Sequence, residues 1–280
     1  MPDKPRRLRP IDGIVIFAVS QVVAVVATVV LALRISIRAN TGISAVVVLC
    51  VAAALLRYTG RSPFRCVKLD RFRPGLVLYS ILASLALIVP TLSLQTIIAR
   101  YLTIPDAVIE ALEAIVRAES LPELMYVWLI AALGAAVSEE FIFRGVLQNG
   151  FSSRLRGWIA VLITASVFAI LHTIWRFPPA FILGVFLGVL YWRTGSLWPP
   201  IAAHLTINTV TIVTLYVAEV FGDTAVPQWL VEERPAPIWM IVLSMIAFAG
   251  LIRLIWTRSA AEQEETQSDG PDETVTVDTP

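Results

Sequence analysis

The chain has 280 residues, of which 57% are hydrophobic and 15% charged, and its formal net charge is +1. This composition is too apolar for an ordinary soluble domain. The small net charge, and the lack of a basic patch interleaved with aromatic residues, give no indication of nucleic-acid binding. The composition therefore predicts an all-α membrane protein that crosses the lipid bilayer several times.

A basic N-terminal segment, residues 1–13, precedes eight apolar stretches that approach the roughly 20 residues a helix needs to span a bilayer. These predicted spans are Ile14–Leu33, Ile35–Leu56, Gly75–Ala99, Leu124–Gln148, Gly157–Trp175, Phe177–Trp192, Leu197–Ala218 and Pro235–Trp256. The second and sixth are candidates for tilted or re-entrant segments, because Arg38 interrupts one and the other has only 16 residues. Residues 14–256 are thus predicted to form one polytopic membrane domain.

The basic residues are sorted by side when the predicted spans alternate across the bilayer. Sixteen of the 22 fall on the side of the N-terminus, and the other six are Arg34, Arg38, Arg100, Arg117, Arg176 and Arg234. Because cytoplasmic loops hold most Lys and Arg, we expect a protein of the cell membrane with both termini in the cytoplasm. Residues 257–280 are acidic and lack aromatic residues, which is typical of a disordered cytoplasmic tail.

The fourth predicted span contains the sequence SEEFIFRG, residues 138–145, with two glutamates and an arginine. Each such group costs about 2.5–3.5 kcal/mol at the centre of a bilayer, so it marks a functional site by default. Glu140 and Arg144 are four residues apart and are expected to pair on one helix face. Glu139 lies about 100° around the helix and needs a partner from another helix. A purely structural ion pair beside a glutamate in a watery vestibule is the alternative.

The two histidines of the chain both fall in predicted spans, His172 in the fifth and His204 in the seventh. Asn208 shares a helical face with His204, and Phe168 lies one turn before His172. One buried histidine is more often a packing residue than a catalyst. Three spans with complementary acid, base and donor groups instead favour a catalytic site in a polar, water-accessible cavity inside the membrane. A fourth span that places Glu139 near mid-membrane brings it within reach of His172.

The sequences EEFIFR (139–144), FAILH (168–172) and HLTIN (204–208) resemble the EExxxR, FxxxH and HxxxN motifs of the CPBP or Abi family of intramembrane proteases. That family includes the type II CAAX prenyl endopeptidases. The resemblance covers about residues 124–218, and all three motifs occur in the family's order on successive odd or even spans.

The resemblance implies an endopeptidase that hydrolyses peptide bonds of a membrane-associated or lipophilic substrate with an activated water. Glu139 would be the general base and His172 would hold and polarise the water. His204 and Asn208 would donate hydrogen bonds to the developing oxyanion. The residues that would shape the site are Glu140, Arg144 and Phe168.

Two alternatives accompany this interpretation. Glu139, His172 and His204 could hold a zinc ion, although the chain lacks HExxH spacing and Asn208 suits an oxyanion donor better. We therefore favour a glutamate protease without a cofactor over a metalloprotease. The alternative function is a non-catalytic membrane scaffold, or a factor that protects the cell against a peptide toxin.

Overall fold

A computed structural model describes residues 7–172, 176–231 and 234–268 of the chain. Over these residues the protein contains helices and no strand. The helices are α1 (Pro10–Leu31), α2 (Ile37–Tyr58), α3 (Pro63–Cys66), α4 (Pro74–Ala99), α5 (Asp106–Val116), α6 (Leu121–Ser152), α7 (Gly157–Ile170), α8 (Phe177–Thr194), α9 (Trp198–Phe221), α10 (Gln228–Val231) and α11 (Ile238–Ser268).

Among the described residues, seven helices are long and apolar enough to cross a membrane: α1, α2, α4, α6, α8, α9 and α11. Helix α7 is an eighth apolar helix, with only 14 residues. The chain is therefore a multi-pass membrane protein, and the predicted class of about eight helices is confirmed. The short helix is the fifth of the series, whereas the sequence pointed to the second and sixth.

The fifth predicted span extends to Trp175, but α7 ends at Ile170. Residues 173–175 lie outside the described residues. Beyond them, Pro178 and Pro179 occupy the first turn of α8, where proline fits because the first helical N–H groups need no partner within the helix. The chain thus reverses direction between α7 and α8 earlier than its hydrophobicity predicts.

Loops predicted to share one side of the bilayer meet in the structure. Arg61 pairs with Asp12 at 2.7 Å, and Arg73 pairs with Glu262 at 2.9 Å. The backbone N–H of Leu197 donates to the carbonyl of Lys68 at 3.3 Å. We call this region, formed by residues 7–10, 57–73, 153–156, 193–198 and 257–268, the basic end. The start of α1 and the end of α11 both lie there.

The opposite end has its own contacts. The Arg38 side chain donates to the carbonyl of Ala114 at 2.8 Å and to that of Arg117, near the end of α5. Arg117 in turn pairs with Glu219 of α9 at 2.6 Å. Helix α5 is therefore tied to the start of α2 and the end of α9 at the end remote from the basic residues.

Helix α11 continues beyond residue 256, where the sequence placed the start of a disordered tail. It runs to Ser268, and Ser259 within this extension is fully buried. The sequence here is rich in Ala, Glu and Gln, which are good helix formers. The ion pair between Arg73 and Glu262 ties the extension to the start of α4. Residues 269–280 of the predicted tail lie outside the described residues.

The largest cluster of buried apolar residues joins α1, α2, α6, α7 and α8. Three rings cross it edge to face, with centroids 5.2 Å apart for Phe17 and Phe143 and 5.0 Å for Phe143 and Phe168. Val67 enters the cluster from the basic end and packs onto Gly145, where an added Cβ would lie 2.6 Å from the valine Cβ. Gly145 therefore permits a close contact between α6 and the chain after α3.

Lys68 follows this contact with a left-handed backbone, φ +63°, which is uncommon for a residue other than glycine. Its Nζ lies 4.6 Å from the centroid of the Tyr191 ring. Burial, together with the nearby charge of Arg71, lowers the pKa of Lys68 from 10.5 to about 8. The basic end thus contains one lysine whose charged form is destabilised by folding.

Candidate active site

Helix α6 positions the two glutamates in one regular turn between two wider segments. Ala135–Glu140 is α-helical, and the flanking Trp128–Gly134 and Phe141–Gln148 are π-helical. Such segments are rare and often occur at functional sites. Their different number of residues per turn changes which side chains share a face, so the simple 3.6-residue periodicity does not hold along the whole helix.

Glu140 and Arg144 form an ion pair in the protein interior. Arg144 Nη1 donates to Glu140 Oε1 at 2.9 Å, and both side chains are fully buried. Arg144 Nη2 donates to the carbonyl of Gly184 in α8 at 3.1 Å, and the guanidinium lies 4.8 Å from the Phe168 ring centroid. One turn later, Gln148 donates to the carbonyl of Gly188 at 2.9 Å. The two glycines leave their carbonyls open to side chains from α6.

His204 in α9 lies between the two glutamates and is almost fully buried. Its Nδ1 is 2.8 Å from Glu140 Oε1, and its Nε2 is 3.9 Å from Glu139 Oε2. A carboxylate oxygen accepts, so the proton on Nδ1 is the donor of the shorter contact. Glu140 therefore fixes the orientation of the imidazole, and Nε2 faces Glu139.

His172 lies just beyond the end of α7, rather than within a membrane span as the sequence predicts. Its Nδ1 donates to the carbonyl of Phe168 at 2.8 Å, because a backbone carbonyl can only accept. Histidine often satisfies the last carbonyls of a helix in this way. The imidazole stacks on the Phe168 ring, with centroids 4.2 Å apart. Its Nε2 then lies 3.8 Å from Glu139 Oε2.

Glu139 is the point at which the two imidazoles converge. Its side chain is 30% exposed, but Oε2 is buried and has no hydrogen-bond partner among the described residues. Separations of 3.8 and 3.9 Å are too long for direct hydrogen bonds and suit a bridging water. Glu139 and His172 both line a cavity of about 400 Å³. The arrangement can hold a water between a carboxylate and a ring nitrogen.

Asn208 is placed less directly. Its Nδ2 donates to the carbonyl of Ala131 in α6 at 3.4 Å, a long hydrogen bond. The structure therefore brings together Glu139, Glu140, Arg144, Phe168, His172 and His204, and it turns the Asn208 carboxamide towards the backbone of α6.

Comparisons with known proteins agree with this geometry. Residues 121–210 match the family described as type II CAAX prenyl endopeptidase Rce1-like. This segment is Rce1-like. It holds every residue of the cluster, and the resemblance predicted from the three motifs is confirmed.

Two curated proteins are similar to the Rce1-like part of the chain. An "Uncharacterized 24.3 kDa protein" of Escherichia coli is 29% identical over 98 residues, or 33% of this chain and 45% of that protein. "Putative membrane peptidase YdiL" of Bacillus subtilis is 28% identical over 86 residues, or 30% of this chain and 35% of that protein. The chain thus spans less than half the length of these relatives. No solved structure matches it.

A zinc ion is the group for which the donor types of the Rce1-like site are suited. Three ligands on one tetrahedral zinc lie roughly 3.4 Å apart, given metal–ligand distances of about 2.0–2.2 Å. Glu139 Oε2 lies farther than this from both Nε2 atoms, at 3.8 and 3.9 Å. Over residues 7–172, 176–231 and 234–268, no group of three or more His, Cys, Asp or Glu has the arrangement of a metal site. The side chains as placed do not fit zinc, and we derive no step through a metal.

The structure adds cavity residues outside the Rce1-like segment that the motifs did not indicate. Helices α1 and α2 supply a polar wall to the cavity, formed by Gln21, Thr28, Asn40, Thr41 and Ser44. Polar residues recur at helical spacing in these apolar spans, for example Asn40 and Ser44 four residues apart. That periodicity was the available signal, since polar side chains inside a membrane usually face the interior or a cavity.

Proposed function

We propose that the protein is an intramembrane endopeptidase that hydrolyses peptide bonds of a membrane-associated peptide or protein with a water activated by Glu139. The observation that carries this proposal is the convergence of Glu139 Oε2 with the Nε2 atoms of His172 and His204 on the wall of a cavity. The Rce1-like match supports peptide hydrolysis as the reaction, as does the similarity to a protein named as a membrane peptidase.

In the proposed reaction, Glu139 removes a proton from the bridging water as the water oxygen attacks the carbonyl carbon of the substrate. Nε2 of neutral His172 accepts the second hydrogen bond from that water, because Nδ1 carries the proton donated to Phe168. When the tetrahedral intermediate collapses, the carbon–nitrogen bond breaks and Glu139 returns the proton to the leaving amine.

His204 and Asn208 are the proposed donors to the oxyanion. Since Nδ1–H of His204 is engaged by Glu140, Nε2 can donate only in the imidazolium form. Asn208 has to exchange its long bond with Ala131 for the substrate oxygen. Fixed donors of this kind act strongly in a cavity of low dielectric constant.

The roles of the remaining cluster residues are supportive in this proposal. Glu140 and Arg144 hold His204 and anchor α6 to α8, and Phe168 supports the ring of His172. No metal is required. The protein is proposed to lie in the cell membrane with both termini in the cytoplasm.

The test is N-terminal proteomics of membranes that contain the wild-type protein or Glu139→Gln. We expect new peptide N-termini with the wild type that are absent from the variant, because a carboxamide cannot accept the proton. Glu123→Gln is the matched control, since Glu123 is an exposed glutamate near the start of the same helix. Identical N-termini for wild type and Glu139→Gln would refute hydrolysis by this site and favour the non-catalytic scaffold.

A further inference from the structure

The cavity at Glu139 lies in the half of the protein remote from the basic end. Its wall includes the first half of α2, from Ile37 to Val48, and Thr28 near the end of α1. It continues along the middle of α6 and ends at Leu171 and His172, beyond α7. All these segments lie towards the end where α1 passes to α2 and α7 passes to α8. No residue of 57–73 or 193–198 lines the cavity.

Tight packing closes the other direction. Between Glu139 and the basic end, α6 contributes Phe143, Val146 and Leu147, each at most 3% exposed. Val67 and Leu197, both fully buried, pack into the same apolar cluster from the basic end. The contact of Val67 with Gly145 leaves no room for an added methyl group. Neither water nor a peptide has a path from the basic end to the carboxylate through this packing.

The distribution of charge indicates which compartment each end faces. The basic end collects the loops that hold most of the 22 basic residues, and such loops are cytoplasmic in most membrane proteins. The opposite end carries Asp106, Glu110 and Glu113 on α5. The cavity is therefore on the non-cytoplasmic side of the protein.

We infer that the peptide substrate reaches Glu139 from the non-cytoplasmic face, along a channel whose polar wall is supplied by α1 and α2. The identity of what enters rests on the proposed function, whereas the direction of access rests on the cavity, the apolar packing and the charges. The substrate class is an extended peptide segment at the non-cytoplasmic side of the membrane, such as the exported part of a membrane-anchored or lipophilic peptide. A peptide terminus confined to the cytoplasm is excluded from this channel.

The polar wall suits an extended backbone. Asn40 Nδ2 donates to the carbonyl of Thr28 at 3.0 Å, which fixes the carboxamide and leaves Oδ1 buried without a partner among the described residues. Thr41 and Ser44 add hydroxyl groups along the same helix. An extended peptide presents an N–H and a carbonyl at every residue, about 3.3 Å apart along the strand. A buried acceptor such as Asn40 Oδ1 gains a hydrogen bond when a peptide N–H replaces its empty side.

Thiol labelling tests the direction of access. The full chain is prepared with Cys50→Ala and Cys66→Ala, which removes both native cysteines, and a single cysteine is added by Thr41→Cys in the channel. Ser62→Cys at the basic end is the matched control, and Ser44→Cys is a second channel variant. Intact cells are treated with a membrane-impermeant thiol reagent before and after permeabilisation.

We expect Thr41→Cys and Ser44→Cys to react in intact cells, and Ser62→Cys to react only after permeabilisation. Protection of both channel cysteines in intact cells, with reaction from the cytoplasmic side or from neither side, would overturn the inference. Labelling does not need catalysis, so the same experiment in the Glu139→Gln background separates the two proposals. An inactive wild-type protein labelled from outside would refute the proposed function alone.

Discussion

Replacing Arg144 by methionine tests the buried ion pair most directly, because methionine keeps the length of the side chain and removes the charge. Arg144 and Glu140 are both fully buried and 2.9 Å apart. Removing one partner of a buried pair leaves an uncompensated charge and typically costs about 3–5 kcal/mol. The loss of the contact between the guanidinium and Phe168 adds to this. His204 remains 2.8 Å from Glu140 and limits the cost.

A loss of this size is a large part of the roughly 5–15 kcal/mol that stabilises a folded protein. At about 2–4 °C per kcal/mol for a chain of 150–250 residues, it corresponds to a melting temperature roughly 6–20 °C lower. The assay is tryptophan fluorescence of the purified protein in detergent during heating. Arg117→Met is the control: Arg117 pairs with Glu219 at the shorter distance of 2.6 Å, but the pair is exposed, so we expect a negligible change.

The double variant Glu140→Gln/Arg144→Met identifies the cause. It removes both charges, and the glutamine carbonyl can still accept from His204, so it should recover at least half of the lost melting temperature. A melting temperature of Arg144→Met equal to that of the wild type would refute the reasoning. If the double variant melts no higher than the single one, the loss comes from packing and not from an unpaired Glu140.

The remaining predictions concern catalysis, metal dependence and pH. His172→Ala should abolish peptide hydrolysis in a purified assay while leaving the elution volume on size exclusion unchanged, because the side chain lies beyond the end of α7; loss of the folded species instead would contradict this. Asn208→Ala should lower kcat about 100- to 1,000-fold with little change in KM, as loss of an oxyanion donor does; a change confined to KM would argue for a binding role. Exhaustive chelation should leave activity unchanged, whereas loss of activity that zinc restores would show that the metal-free mechanism is wrong. The pKa of Lys68, about 8 when folded and 10.5 when unfolded, means that the unfolded state binds more protons between these values. The free energy of unfolding should therefore rise by up to about 3 kcal/mol from pH 8 to 10.5, and Lys68→Met should lack this rise.

The sequence predicted those features that depend on local composition and on helical spacing. Apolar stretches of sufficient length identified the membrane helices, and the four-residue spacing of Glu140 and Arg144 predicted their contact. Spacing alone did not indicate the π-helical segments on either side of Ala135–Glu140, because they depend on how α6 packs against α8 and α9. For the same reason the contact of His204 with Glu140 was not foreseen.

Boundaries were less predictable than the helices themselves. The apolar sequence continues past Ile170, so hydrophobicity alone gave no reason to end α7 before His172. The acidic composition after residue 256 favoured disorder, but Arg73 pairs with Glu262 and the helix continues. The polar wall on α1 and α2 belongs to spans without a recognised motif, and its residues gain meaning only from the cavity they share with Glu139.

The shortness of α7 has a consequence for the surrounding lipid. Fourteen residues at 1.5 Å each extend about 21 Å, roughly 9 Å less than the hydrocarbon core of a typical bilayer. Ile170 and Leu171, at the end of this helix, are 68% and 56% exposed. A bilayer adapts to such a hydrophobic mismatch by thinning locally. The headgroup layer is therefore drawn inwards beside His172, which brings water and the polar backbone of a lipid-anchored peptide to the depth of the glutamate without a wide pore.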